Sequence, residues 1–382
     1  MTETTSVSPS AGPGGLRARW VGLRNRLIEN PRFQRLSAQL PFVRRIVRRE
    51  TAALFDIVAG FVYSQILDAC VRLDLFAALA DGPRTVASLA KESDLSSDAM
   101  ERLLRAAAAL RLTEHLGADL YALGTLGAAL RGNAGLVSII EHHRMLYADL
   151  ADPIAVLRGN PERTHLGTYW GYGGDSDPKA LALDRVAQYS ALMAKSQAMI
   201  SALVLDAYDF GQHRLLLDIG GGAGAFLAAA GRRHPTLMLA LFDLPAVAKI
   251  AASNLAQEGL GSRTLVHEGS FFDDELPLGA DIATLVRILH DHGDDAVRKI
   301  LLRAARALKP GGTLVIAEPM AGTPGGERIA DAYFGLYLGG MGQGRARSPV
   351  ELGKYLRDAG FRSVKTVQSK NPLIVQLVIA TK

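Results

Sequence analysis

The stretch that most constrains this chain is "RLLLDIGGGAGAF", residues 214–226, where a short apolar run breaks into glycines at 220, 221, 222 and 224. An apolar run of strand length, a glycine cluster and then an alanine-rich segment read as strand, tight loop, helix. Glycine lets the backbone turn sharply and approach a ligand closely. A loop that opens a helix also aims backbone N–H groups at whatever sits there. The texture repeats downstream. "LMLALFDL", "TLVHEG", "ADIATLVRIL" and "GTLVIAEP" are further strand-length runs, and helical stretches such as "AVAKIAASNLAQEG" and "AVRKILLRAARAL" lie between most of them. Near-continuous apolar strands alternating with helices predict a parallel sheet covered on both faces. The last two runs, "VKTVQS" and "IVQLVIATK", stand only a few residues apart, which allows a hairpin but not a parallel crossover. Residues 211–382 are therefore expected to form an α/β domain whose sheet ends in an antiparallel pair.

The upstream half has a different pattern. From Thr51 it is alanine- and leucine-rich with helical periodicity, and "VYSQILDACVRLDLFAAL" reads as one amphipathic helix running towards Asp81-Gly82. Thr85 suits the cap of a short helix ending near Ser93, and Ser96 or Ser97 the cap of a longer one. "LTEHLGADLYAL" then reads as a two-strand wing with a glycine-containing turn. Helix, turn, helix, wing is also the order of DNA-binding modules. A reading helix needs exposed Arg, Lys, Asn or Gln aimed at base edges. This one offers Arg102 and Arg105 beside "AAAAL", a surface better suited to packing. Residues 51–177 are expected to be a dimerisation and substrate-covering module with no nucleic-acid partner. A joining helix is expected over 178–210, with Met193 and Ser196 one turn apart on one face.

Charge is unevenly spread. Ten arginines between Arg17 and Arg49 stand against Glu29 alone, so this arm more than accounts for the net +5 of the chain. Leu16, Trp20, Leu23 and Leu27 follow helical spacing, and Phe33, Leu36 and Leu40 repeat it after Asn30-Pro31. Basic amphipathic helices with Trp and Phe suit anionic membrane surfaces. The competing reading packs the apolar stripe on the protein and leaves the arginines solvated. Residues 1–50 are thus expected to be a disordered tail and a basic amphipathic arm. The first residues lack an apolar signal core, no apolar run approaches membrane-span length, and one cysteine, Cys70, excludes an internal disulfide. A cytoplasmic protein, peripheral on the inner membrane if the arm docks there, is the expectation.

The glycine loop fits two families. Gly220, Gly222 and Ala225 resemble the GxGxxA loop of dehydrogenases, while Asp218, Gly220, Gly222 and Gly224 resemble the DxGxGxG loop of S-adenosylmethionine (SAM) methyltransferases. Asp243, at the end of the next strand, suits ribose hydroxyls in either. Two features favour SAM. A carboxylate at Asp218 suits its cationic amino acid end, and "RALKPGGTLVIAEP" followed by the terminal hairpin resembles the back half of class I methyltransferases. The order winged module, joining helix, "DIGGGAGAF", "FDLP", "EGSFF", "RILHDH" and "LKPGGTLVIAEP" resembles small-molecule O-methyltransferases of the caffeate and hydroxyindole type over residues 55–382. Through "RNRLIENPRFQRLSAQLPFVRRI" the chain further resembles the bacterial carotenoid 1-hydroxyl O-methyltransferases.

The resemblance implies a Rossmann-like seven-stranded sheet with an antiparallel edge hairpin, an N-terminal winged-helix dimerisation domain, a homodimer, and SAM as cofactor. It places Gly220, Gly221 and Gly222 under the methionine end, Asp243 and Leu244 at the ribose, and Ser270 and Phe271 at the adenine, with Ser270 where an aspartate is more usual. Arg287, Met193 and Ser196 match further cofactor-side positions. His290 matches the general base and Glu318 an acid that takes its other ring N–H; the second orienting acid falls at Ala346. The acceptor implied is a hydroxylated acyclic carotenoid, methylated at a tertiary 1-hydroxyl by in-line transfer. A pocket for it is expected to be a hydrophobic tunnel, with His142, Met145, Tyr169, Trp170 and Tyr172 as candidate linings. The run "LVRILHDHGDD" looks ligand-rich, yet methyl transfer to an alcohol needs no metal, and none is expected. His292 is expected beside SAM, and Asp294 and Asp295 at a helix start, where carboxylates are favoured. Rival readings are a bacteriochlorophyll-type C-methyltransferase or antibiotic-pathway O-methyltransferase of this fold and, from another class, a SAM-sensing winged-helix regulator.

Overall fold

The computed structural model of the protein describes residues 15–37, 41–159, 164–169 and 197–382. Helices Gly15–Glu29 and Pro31–Ser37 form the basic arm, with Asn30 between them accepting the Arg32 backbone N–H at 2.8 Å. The stripe read from the sequence forms and is largely exposed among the described residues. Leu16 is 85% exposed, Trp20 63% and Leu23 60%. The Arg24 guanidinium lies over the Trp20 ring, 5.7 Å from its centroid. Leu40 lies outside the described residues.

Helix Pro41–Arg72 runs without a break through the expected boundary at residue 50. Its apolar window is long enough, by length and composition alone, to cross a membrane, which corrects the reading that no run approaches that length. Scattered polar residues such as Asp56, Ser64 and Gln65 hide this from a search for an unbroken run. The helix also stops earlier than its periodicity predicts. Asp74 adopts a left-handed φ of 50°, and a separate short helix, Leu75–Ala78, follows. The exposed apolar side chains Leu54, Phe55, Ile57, Val58, Phe61 and Val62 recur at helical spacing along it.

The N-terminal module closes around Cys70, Leu75, Leu89, Met100, Leu104, Ala107 and Tyr121. Burial pushes the Cys70 thiol up to about 12, so it stays an unreactive apolar filler. Its small sheet has the order β1–β3–β2, from β1 (Arg84–Thr85), β2 (Thr113–Gly117) and β3 (Leu120–Leu123). Thr85 and Ser96 cap their helices as the sequence predicts, accepting from the Ser88 and Ala99 backbone N–H groups. Met100, Leu104 and Ala107 of helix Ser97–Ala109 point into this core, and Arg105 instead sits 3.8 Å from Glu101 on the outside.

The C-terminal half is the predicted sheet. Strands β4 (Leu215–Ile219), β5 (Met238–Asp243), β6 (Thr264–Glu268), β7 (Ala280–Val286) and β8 (Leu308–Glu318) are parallel, and β9 (Ser363–Gln368) and β10 (Gln376–Thr381) complete the order β6–β5–β4–β7–β8–β10–β9. β10 runs antiparallel to both β8 and β9, so the terminal hairpin forms the edge. Alternation sends Leu217, Ile219, Ala283, Leu285, Leu314 and Ile316 to one face and Leu216, Leu241, Ile282, Val315 and Ala317 to the other. Each fully buried aliphatic side chain stabilises by about 1.5–3 kcal/mol, so both helix layers are held by the strands themselves. The C-terminal ends of β4, β5 and β7 face one cleft.

Candidate active site

The cleft encloses about 1300 Å³, mouth included, and its lining runs from Asp218 and Gly220 through Asp243, Ser270 and Arg287 to His290, Phe334 and Tyr337. At one end stands the glycine loop. Gly220 has φ +71° and donates its N–H to Phe242 O at 2.8 Å, and a Cβ there would meet Ile288 at 2.7 Å. A Cβ on Gly221 would come within 2.7 Å of the Asp218 carboxylate. The left-handed φ at Gly220 and the short Cβ distances at both positions favour glycine, which leaves bare backbone facing the cleft.

Two buried acids serve that end. Thr284 Oγ1 donates to Asp218 Oδ1 at 2.6 Å, while Asp218 Oδ2 is buried without a partner. Burial, only partly offset by Thr284, raises the Asp218 carboxyl to about 7. An unpartnered buried carboxylate oxygen is costly unless a ligand donates to it. Asp243 accepts the Gly222 N–H (2.8 Å) and the Leu244 N–H (2.7 Å), and burial raises it to about 6. Ser270 is buried, its N–H bound by Asp274 Oδ2 at 2.8 Å and its hydroxyl accepting the Phe272 N–H at 3.2 Å. The His292 ring meets Phe271 and Phe272 edge-on, with centroids 5.5 and 5.2 Å away.

The other end is apolar and aromatic. A π-helical turn, Arg328–Tyr333, leads into helix Phe334–Met341, which sets Phe334, Tyr337 and Met341 on the cleft wall. The Phe334 ring lies 5.8 Å from the His290 ring. Helix Ala134–Asp149 of the N-terminal module braces this wall from behind. Tyr337 Oη bonds His142 Nε2 at 3.0 Å and Tyr333 Oη bonds His143 Nε2 at 2.8 Å. Burial holds both imidazoles below their ordinary range, His143 at about 4, with the neighbouring His142 adding to it there.

Between the two ends sits His290, on a 3₁₀ turn, Leu289–Asp291, beyond the end of β7 rather than on the strand. Arg287 leaves the strand at φ 58°, with its backbone N–H held by Ala317 O at 2.8 Å. A left-handed non-glycine residue costs about 1–3 kcal/mol and persists only where its surroundings fix it. The expected role of Glu318 needs correction. Its Oε2 accepts the backbone N–H of His290 at 3.1 Å, and Oε1 has no partner. The ring is met instead by Asp291, whose Oδ1 stands 3.3 Å from Nε2, while Nδ1 is buried without a partner. The 3₁₀ turn brings the next residue's carboxylate back onto the ring, which strand geometry would forbid. Burial and the nearby Arg287, His292 and Arg347 push the His290 pKa well down, so the imidazole is neutral near pH 7. Burial raises the Asp291 carboxyl, opposed by Arg287, and lifts Glu318 to about 7.

Residues 147–362 match the O-methyltransferase domain family and residues 55–131 the O-methyltransferase dimerisation domain. The chain belongs to the SAM-dependent O-methyltransferases. This O-methyltransferase is 42% identical over 373 residues to the demethylspheroidene O-methyltransferase of Cereibacter sphaeroides, covering 97% of this chain and 96% of that protein. It is 38% identical over 364 residues to the same-named protein of Rhodobacter capsulatus, with 95% and 90% covered. Human N-acetylserotonin methyltransferase in complex with SAM superposes with a TM-score of 0.72 at 25% identity, over 87% of this chain and 97% of that one.

The O-methyltransferase site gathers Asp218, Gly220, Gly221, Gly222, Asp243, Leu244, Ser270, Phe271, Arg287 and His290 around one cleft. Glu318 acts from beneath it. Of the expected acceptor linings, His142 reaches the cleft through Tyr337, and Met145 packs behind that wall. Tyr169 ends a short helix, His165–Tyr169. Trp170, Tyr172, Met193 and Ser196 lie outside the described residues. Sequence reasoning missed Asp291, Phe334, Tyr337 and Arg347. The "HD" pair was the available signal for Asp291; nothing local marked the other three. Among the described residues no group of three or more His, Cys, Asp or Glu is placed to hold a metal ion.

The residues present fit SAM. Bare glycine backbone accommodates the methionine end, the unpartnered Asp218 Oδ2 suits a cationic amino group, and Asp243 is an acid able to accept hydroxyl donors.

Proposed function

We propose that this O-methyltransferase methylates the tertiary 1-hydroxyl of an acyclic carotenoid, with His290 as general base. The observation that carries the substrate is the 42% identity to a demethylspheroidene O-methyltransferase over nearly the whole chain, basic arm included. The aromatic and aliphatic wall of Phe334, Tyr337 and Met341 suits a long apolar acceptor. SAM, when bound, supplies an electrophilic methyl group on a sulfonium sulfur. Asp218, the glycine loop, Asp243, Ser270 and Phe271 would hold it, with the cleft placing the acceptor oxygen against the methyl, where positioning supplies several kcal/mol. An alcohol's pKa lies far above that of imidazole, so His290 would take the hydroxyl proton only as the methyl passes from sulfur to oxygen, the electrons of the broken S–C bond staying on sulfur. Asp291 Oδ1, 3.3 Å from Nε2, stands where it can steady the ring as the proton arrives. General-base assistance of this kind is worth about 10²–10⁴-fold. Purified protein incubated with radiolabelled SAM and a 1-hydroxy acyclic carotenoid should place label in the carotenoid. An unlabelled carotenoid fraction would overturn the substrate.

The proposal extends to two surfaces. A second copy covers the exposed apolar face of residues 54–62, which opens the segment matched to the dimerisation domain. The arm docks on anionic membrane, where a lipophilic acceptor resides. Its arginines meet headgroups, at about 1 kcal/mol each near the surface, while Trp20, Leu23 and Leu27 enter the interface. Flotation with vesicles containing anionic lipid should retain the full chain and release a chain lacking residues 1–50. Equal flotation of the two removes the docking role.

A further inference from the structure

Where the resemblance predicts a second orienting acid, Ala346 stands, and the residue after it, Arg347, is the largest fully buried side chain among the described residues. A buried guanidinium is costly to desolvate and is retained only with its donors satisfied. Arg347 Nη1 donates to Leu289 O at 2.8 Å and Nη2 to His292 O at 2.7 Å, carbonyls on either side of His290. Nε and Nη2 both reach Asp294 Oδ1, at 3.0 and 2.7 Å, in the first turn of the following helix. Arg347 is itself tied to the exit of β8, where its carbonyl accepts the Ala321 N–H at 3.1 Å. Glu318, at the end of β8, holds the His290 N–H. The two anchors therefore grip the 3₁₀ turn through its backbone and leave the imidazole to the cleft. The neighbouring chain is equally close: a Cβ on Gly344 would lie 2.6 Å from His290 O.

We infer that Arg347 is a positioning residue for methyl transfer, fixing the turn that carries His290 by binding the carbonyls of Leu289 and His292 together. This rests on the reading of His290 as the base. The planar fork spans two acceptors at fixed separation, which a lysine ammonium cannot reproduce. Arg345 also pairs with Asp294, at 3.0 Å, so Asp294 keeps a partner when Arg347 is replaced.

A double-mutant cycle tests the inference. Arg347→Met should lower turnover at saturating SAM at least tenfold, shift the acidic limb of the pH–rate profile, and change SAM affinity less than threefold. In a His290→Ala background the same substitution should cost less than twofold, because the ring it positions is gone. Equal fold losses in both backgrounds, or near-normal turnover of Arg347→Met, would overturn the positioning role while leaving His290 as base. Near-normal turnover of His290→Ala alone would remove the base, and this role with it. Should Arg347→Met fail to fold, Arg347→Lys and Gly344→Ala run through the same cycle, the second displacing the turn from its other side.

Discussion

The two ends of the cleft are built on opposite principles. The cofactor end is made of loops that each leave a parallel strand of one sheet, tied by bonds from main-chain N–H groups: Asp243 accepts from Gly222 and Leu244, the Asp274 carboxylate accepts from Ser270, and Gly220 donates to Phe242 O. The acceptor end is made of side chains far apart in sequence, with Tyr337 and Tyr333 on one helical segment braced by His142 and His143 from another module. Backbone-held loops fix a common cofactor with little freedom. A wall of side chains between two modules is free to differ in shape from one acceptor to the next without disturbing the sheet.

Substitutions should separate the two ends cleanly. Asp243→Ala deletes the acid of the cofactor end. A hydrogen bond to a charged group is worth about 1.5–3 kcal/mol, so SAM affinity should fall about 10–100-fold. Calorimetric titration measures this, and acceptor binding should be little changed. Unaltered SAM affinity would break the assignment of that end. Tyr337→Phe keeps the ring and removes the bond to His142. It should cost about 1–3 kcal/mol of stability and raise the acceptor KM with SAM affinity unmoved. A matched loss of SAM affinity would show the ends to be coupled.

A smaller effect concerns pH. Asp218 has a folded pKa near 7, raised from 3.8 by burial. Its contribution to stability is complete below about 4 and is lost as pH rises through 7, where the carboxylate must ionise in place. Asn does not titrate and keeps the Thr284 bond. Asp218→Asn should therefore melt higher than the parent at pH 8, lose that advantage towards pH 5, and bind SAM more weakly at both. A melting difference independent of pH would show that Asp218 is not a buried acid awaiting a cationic partner.

The same contrast explains how much the sequence discloses. The sheet, its edge hairpin and the helix caps at Thr85 and Ser96 follow from local periodicity and capping chemistry. The cofactor end is legible because "DIGGGAGAF", "FDLP" and "EGSFF" are continuous segments at strand ends. Tyr337 and His142 meet only through tertiary packing, across nearly two hundred residues, so no short motif announces them. Glu318 was legible as a partner of His290, but its choice of backbone over ring depends on a 3₁₀ turn that residue types do not specify. That turn also brings Asp291 onto the imidazole. The arm was legible as a basic amphipathic helix. Whether its stripe would pack at home was not, because exposed and buried stripes share one periodicity.

The central claim is that one end holds SAM while His290, at the junction, moves the proton. Measuring SAM affinity and turnover together on His290→Ala tests it most directly. The account predicts SAM affinity within about threefold of the parent and turnover reduced at least tenfold, within the general-base range. Near-normal turnover, or a loss accounted for entirely by weaker SAM binding, would contradict it.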